Sequence, residues 1–429
     1  MLFEVHPSRL TGEVAIPGSK SHTIRAVMIA ALADGESVID APLISADAES
    51  AMHAAGILGA KITRTPDRWV VQGTGGRFHL RETTIDTGNS GTTTNILLGL
   101  LALQDEREIT LTGDQQIRRR PCRHLADALT QLGAKIVSVH ENGCPPFLVR
   151  GPLRGGRAVL AAPSSQYLTS LLLACPLAVG DSEIVVTELK EESYVEMTLE
   201  WLKFQGICLE HDGLKHFRIP GGQKYHAFHR RVPADFSSAS FFLCAGALGD
   251  NDVTSTGLDL NDAQGDKAVV DYLRQMGALV EVTGDRIRVR GRGLHGVELD
   301  LNNTPDALPV MAVTACFAEG TTVLGNVAHA RIKETDRIAV MAGELRKIGA
   351  AVEERPDGLV IHGGQSLTGA DVNGHHDHRV VMALALAGTR LQSGLTVDTA
   401  EAAGVTFPEF PRMMRTLGAA LQEREIRPV

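Results

Sequence analysis

Aromatic side chains are scarce in this 429-residue sequence: Phe, Trp and Tyr make up only 4% of it. Its cores must therefore be aliphatic, and a hydrophobic content of 43% supplies enough for two or more domains. Cysteine is sparse too. Cys122, Cys144, Cys175, Cys208, Cys244 and Cys316 never fall at C-x-x-C spacing, so neither a zinc ribbon nor a dithiol redox site is signalled. Few cysteines in a long chain fit a reducing cytosol. The apolar stretch Leu168–Val179 is interrupted by Pro176 and is too short to span a bilayer. The opening MLFEVHPSRLTGEV has no basic or apolar region of the signal-peptide kind, so a cytoplasmic location is expected. Positive charge is not in excess. A net charge of −9 argues against nonspecific binding to nucleic acid or to acidic membranes, yet a cleft can still focus local positive charge on a small anion.

Several chemical signatures are missing as well. There is no G-x-S-x-G elbow, which argues against a Ser/His/Asp hydrolase. The single G-x-G-x-x-G, Gly291–Gly296, leads into a further strand pattern rather than a helix, so a dinucleotide is not indicated, and the Walker A spacing fails.

Glycine, in contrast, is plentiful, and six glycines mark an internal repeat. Gly59, Gly133, Gly206, Gly277, Gly349 and Gly418 each follow a Leu/Met/Ile-rich helical pattern, at a steady spacing of about 70 residues. A Gly just past the last periodic residue supplies a left-handed helix cap. Alternation then follows, as in Val280-Glu281-Val282 and Ile287-Arg288-Val289, which is the pattern of a half-buried strand. The repeat predicts an α/β protein of six helix-and-strand units packed as two groups of three. The polar stretch Tyr225–Pro233 marks a break between the third and fourth copies.

Six segments carry candidate chemistry. In Ile16–Arg25 a Gly-Ser turn feeds a helix start, with Lys20, Ser21 and Arg25 beside exposed N–H groups. Asp86–Asn95 crowds Gly, Asn, Ser and Thr at a strand-to-helix junction, a backbone nest for anions. Gly113–Pro121 holds three consecutive arginines ending at Arg120, which would repel one another without an anion. A nucleic-acid patch is the rival reading, but no aromatic or second basic cluster accompanies them. Ser164, Ser165 and Gln166 precede another helix and offer donors to phosphate or hydroxyl oxygens; taken alone, the segment is better explained by a plain N-cap. Asp306 and the run Ala330–Arg337 combine carboxylates suited to proton transfer with cations suited to phosphate. Helical spacing predicts Lys333 and Arg337 on one face, and a surface ion-pair network is the alternative. In His375–Arg379, nearly consecutive residues converge poorly on one metal ion, so a phosphate or carboxylate contact by Arg379 is preferred and no metal is expected.

Taken together and in this order, GSKSHTIR, GNSGTT, RRRP, PSSQYLTSLL, the stretch from Asp235 to Asp266, PDALPV, RIKETDRI and HDHR resemble the EPSP synthase family, enolpyruvyl transferases, over essentially the whole chain. The resemblance implies a two-domain inside-out α/β barrel with three repeated units per domain. It implies a discontinuous domain of residues 1–19 plus 232–429, an inserted domain of residues 20–231, and an active site in the cleft between them. The implied reaction moves the enolpyruvyl group of phosphoenolpyruvate to the 5-hydroxyl of shikimate 3-phosphate, in the route to chorismate and aromatic amino acids. Lys20, Asp306, Lys333 and Glu334 are then catalytic, with Glu334 donating the proton to the methylene carbon. Lys20, Gly91, Arg120, Gln166, Arg337 and Arg379 bind phosphoenolpyruvate. Lys20, Ser21, Arg25, Ser164, Ser165, Gln166, Tyr194, Asp306 and Lys333 bind the acceptor. No cofactor is implied, the partners are small anionic molecules, and the chain is a monomer.

Three places depart from the family pattern. Val405 stands where the family has a Lys, Asn95 where it often has an Arg, and Glu191-Glu192-Ser193-Tyr194 where it has Ser-Lys-Pro-Tyr. The Ser of that loop helps hold the acceptor phosphate. A glutamate there opposes a phosphate by Coulomb repulsion. Either Glu191 points away, or the enzyme is a paralogue that uses a different hydroxyl acceptor, such as a nucleotide or a hydroxybenzoate. A noncatalytic anion-binding protein is the reading from another class, and the intact set of Asp306, Lys333 and Glu334 argues against it.

Overall fold

The computed structural model describes residues 1–105 and 107–425. Within them the repeat becomes six four-stranded sheets of one topology. The pivot glycines all take positive φ, from 70° at Gly206 to 112° at Gly59, where a side chain would be strained. Each pivot ends an outer helix and opens an antiparallel hairpin. One example is Val269–Gln275, Gly277, then Leu279–Thr283 paired with Arg286–Arg290.

The chain divides into two compact units, Gly18–Val232 and the pair Met1–Pro17 with Pro233–Val429. Each unit closes its repeats with borrowed strands. In Gly18–Val232, His229–Arg231 returns to pair in parallel with Glu36–Asp40. In the other unit, Thr11–Ala15 pairs in parallel with Asp252–Thr256. There the sixth copy has only one strand after its Gly, Ala420–Arg424, and the N-terminal strand Leu2–His6 supplies its hairpin partner.

Each unit is centred on three buried helices. Every residue of Gly91–Leu101, Phe236–Ala247, Leu308–Cys316 and His378–Gly388 is buried. Lys20–Leu32 and Ser165–Ala174 are buried apart from Lys20, Ser21 and Gln166, all at their N-terminal ends. Helices that are apolar all round belong in a core. Several candidate site residues lie in their first turns: Lys20, Ser21, Gly91, Ser165, Gln166 and Arg379. No helix among the described residues is long and apolar enough to cross a membrane.

Candidate active site

In Gly18–Val232 the three buried helices start from serine caps. Ser19 accepts from His22 N, Ser90 from Thr93 N and Ser164 from Gln166 N. A neutral cap leaves the positive end of the helix dipole available to an anion. Lys20, the first residue of its helix, points its Nζ at Asp47 Oδ2, 3.2 Å away. Sequence reasoning did not single out Asp47; the available signal was an acidic residue in the first turn after the Ser45 cap.

Gly91, Arg120 and Gln166 converge. A Cβ placed on Gly91 would lie 2.5 Å from Arg120 Nη1 and 3.8 Å from Gln166 Oε1, so the guanidinium passes directly over the start of that helix. Gln166 is fixed there by Thr92 Oγ1 at 3.1 Å and by Asn95 Nδ2 at 2.7 Å. Asn95 thus orients the Gln166 amide at a position where the family often has an arginine. Of the three consecutive arginines, Arg118 and Arg119 are exposed, and only Arg120 turns inward to Gly91.

Arg25 is 2% exposed and braces the frame. It donates to Thr198 Oγ1, to Ser21 O, to Thr169 Oγ1 and to Tyr194 O, at 3.0 to 3.3 Å. Burial lowers its pKa to about 10, so it stays charged at neutral pH. Ser21 and Tyr194 are half-buried, and each presents its carbonyl oxygen to Arg25.

Glu191 does not turn outward. It is 2% exposed, and its Oε2 accepts from both Ser165 Oγ at 2.7 Å and Ser165 N at 3.2 Å. Strand pairing puts it there. Gly156–Ala162 runs parallel to Ser182–Leu189, so the residues leaving both strands, Ser164-Ser165 and Lys190-Glu191, emerge side by side. Glu191 takes a left-handed conformation, φ 58° and ψ 48°, one that L residues other than Gly, Asn and Asp seldom adopt. Glu192 is exposed.

In the other unit the arrangement is different. Asp306, Glu334 and Asp377 all bind one guanidinium. Arg337 donates from Nη1 to Asp306 at 2.7 Å, from Nη2 to Glu334 at 2.5 Å and from Nε to Asp377 at 2.8 Å. Asp306 also accepts Arg379 Nη2, at 2.8 Å on its other oxygen. The Arg337 side chain is 1% exposed and Asp377 is fully buried. Burial alone would raise the Asp377 carboxyl, but Arg337 outweighs it and holds its pKa below the usual value. For Arg337, burial works against the charge, and Asp377, Glu334 and Asp306 together raise its pKa well above the ordinary value.

The expectation that Lys333 and Arg337 share a helical face is corrected. The helix begins only at Arg337, because Asp336 caps it by accepting from Ala339 N at 3.0 Å. Ala328–Ile332 is a short 3-10 turn, so Lys333 and Glu334 sit in the connection between the two. Asp377 enters the sequence pattern only as part of a histidine-rich run. Its position before an apolar helix was the missed signal: it caps His378–Gly388 by accepting from Arg379 N at 2.9 Å. Asp266, 2% exposed, is another buried acid of this unit. Burial and then Asp306 push its pKa up to about 7, with Arg379 opposing them. Val405 ends the 3-10 turn Ala400–Val405 and is half-buried.

This arrangement offers two chemistries. The serine-capped, cation-lined helix starts suit anions. The carboxylates sharing Arg337 suit proton transfer, because three acids are held in fixed geometry by one cation. Comparisons with known proteins agree with that combination. The family model described as EPSP synthase (3-phosphoshikimate 1-carboxyvinyltransferase) matches residues 5–414. The chain is 47% identical over 425 residues to a 3-phosphoshikimate 1-carboxyvinyltransferase of Acetivibrio thermocellus, covering 99% of this chain and 100% of that one. It is 44% identical over 422 residues to the enzyme of the same name from Ruminiclostridium cellulolyticum, covering 98% and 100%. Among solved structures, an EPSP synthase from Acinetobacter baumannii superposes with a TM-score of 0.82 at 28% identity, covering 98% of this chain and all of the other.

Proposed function

Since the chain belongs to the EPSP synthase family, we propose that it transfers the enolpyruvyl (1-carboxyvinyl) group of phosphoenolpyruvate to the 5-hydroxyl of 3-phosphoshikimate, releasing phosphate. The reaction serves the route to chorismate and aromatic amino acids. In this reading the protein acts in the cytoplasm as a monomer on small anionic substrates, without nucleic acid or membrane.

Lys20, Gly91, Arg120, Gln166, Arg337 and Arg379 take phosphoenolpyruvate. Lys20, Ser21, Arg25, Ser164, Ser165, Gln166 and Tyr194 take the acceptor, with Arg25 contributing through its charge and the frame it braces. Asp306 and Lys333 serve the reacting hydroxyl, and Glu334 serves the methylene carbon. Glu334 protonates C3 of phosphoenolpyruvate while the acceptor oxygen attacks C2 and gives up its proton. The tetrahedral intermediate then loses a proton from C3 as the C2–O bond to phosphate breaks, which restores the double bond. An acid and a base are both required, and arginines neutralise the gathered negative charge.

The observation that carries this reading is the shared guanidinium, with Asp306 and Glu334 both held by Arg337. Binding of an anion alone has no use for two half-buried carboxylates on one cation. The test mixes the protein with phosphoenolpyruvate and 3-phosphoshikimate and follows inorganic phosphate. Phosphate should appear only when both are present; no release at any concentration of the pair would refute the reading.

A further inference from the structure

Glu191 has no role in the reaction as written, yet it is buried, backbone-strained and hydrogen-bonded at an address the reaction uses. Ser165 is the first residue of a ten-residue buried helix. Its N–H and its hydroxyl are the donors such a helix start offers to an anion. Both go to Glu191 Oε2, at 3.2 and 2.7 Å. The left-handed backbone at Glu191 is unfavourable for a residue of its kind. The loop is held at both ends. Lys190 N donates to Ala162 O at 3.1 Å, and Tyr194, whose carbonyl receives Arg25, donates its own N–H to Glu191 O. A side chain held this firmly on two donors is an internal anion at a helix start.

We infer that the Glu191 carboxylate occupies the place at Ser165 that the phosphate of the acceptor would take, and that it thereby sets the enzyme's preference between phosphorylated and unphosphorylated acceptors. The inference rests on the proposed reaction, in which Ser164 and Ser165 face the acceptor. A phosphorylated acceptor must either displace the carboxylate from Ser165 or bind beside it against Coulomb repulsion. In both cases its affinity falls, while an uncharged group meets no such opposition. Glu191 is a specificity-determining residue in this account and performs no proton transfer.

Calorimetric titration of 3-phosphoshikimate and of shikimate into the wild type, Glu191→Gln and Glu191→Ser provides the test. Glu191→Gln keeps an oxygen for Ser165 and removes only the charge, so it guards against a misfolded serine variant. Both variants should bind 3-phosphoshikimate about ten-fold more tightly, the scale of one like charge at partly desolvated contact distance, and should bind shikimate unchanged. A purely structural Glu191 would instead show a lowered melting temperature with no gain for the phosphorylated ligand. Unchanged or weaker 3-phosphoshikimate binding in the folded variants overturns the inference. Phosphate release is followed in parallel. Turnover that is equal in all three proteins, with equal binding, sinks the inference and leaves the reaction. Tighter binding without turnover in any of them supports the inference and sinks the reaction.

Discussion

The two units treat the starts of their buried helices in opposite ways. In Gly18–Val232 all three are capped by serine hydroxyls, at Ser19, Ser90 and Ser164. In the other unit, Phe236–Ala247 and His378–Gly388 are capped by Asp235 and Asp377, and Leu308–Cys316 follows directly on the turn carrying Asp306. A serine cap satisfies a backbone N–H without adding charge, so the dipole is left for an anion from outside. An aspartate cap supplies the anion from within: Asp377 is met by Arg337, while Arg379 meets the nearby Asp306. One repeated module therefore yields an anion-receiving surface in one unit and a carboxylate–guanidinium network in the other. Glu191 is the exception on the serine side.

The contrast breaks most severely at Arg337. Replacing it by Met strands Asp377, Glu334 and Asp306 without their common cation. Removing one partner of a buried ion pair typically costs about 3–5 kcal/mol. Urea unfolding of Arg337→Met should show a loss of that size, together with loss of turnover; a midpoint equal to the wild type would mean that the network carries no stability.

A smaller effect belongs to Asp266. Its folded pKa is raised to about 7, above the value of about 3.9 for an unfolded aspartate. Between those limits the folded chain binds more protons than the unfolded one. The stability that protonated Asp266 permits is therefore full below about pH 4 and is lost as pH rises to about 7. Asp266→Asn cannot ionise. Its melting temperature relative to the wild type should climb across that window and level off above it. A pH-independent difference would show that Asp266 titrates normally.

The smallest effect sharpens the serine side. Gly91→Ala puts a Cβ 2.5 Å from Arg120 Nη1, against the far end of a flexible side chain. The fold should tolerate it, since Ala is the better helix former. The KM for phosphoenolpyruvate should rise about ten-fold, as expected when a charged contact is displaced. Steady-state kinetics beside a melting curve separates the two; an unchanged KM would remove Arg120 and Gly91 from the binding set.

Much of this was legible in the sequence because it is local. The pivot glycines, the strand alternation that follows them and the helix starts at Lys20, Gly91 and Ser165 depend on neighbours a few residues away. The borrowed strands were not legible, since Leu2–His6 finds its partner Ala420–Arg424 only through the fold. The same holds for Asp47 beside Lys20 and for Asp377 beside Arg337. Lys333 and Arg337 were misread for a local reason: periodicity suggested one helix through both, and the Asp336 cap breaks it. Glu191 was recognised as out of place, but its direction was open. That direction is set by the pairing of two parallel strands, which no spacing along the chain records.

The claim at the centre is that Glu334, held on the Arg337 guanidinium, delivers a proton to carbon. Deuterium entering the methylene group of phosphoenolpyruvate during turnover in D2O reads that step directly. The wild type should incorporate it, and Glu334→Gln should lose incorporation and turnover alike, by about 10²- to 10⁴-fold, while still binding phosphoenolpyruvate. Incorporation at the wild-type rate in that variant would contradict the account.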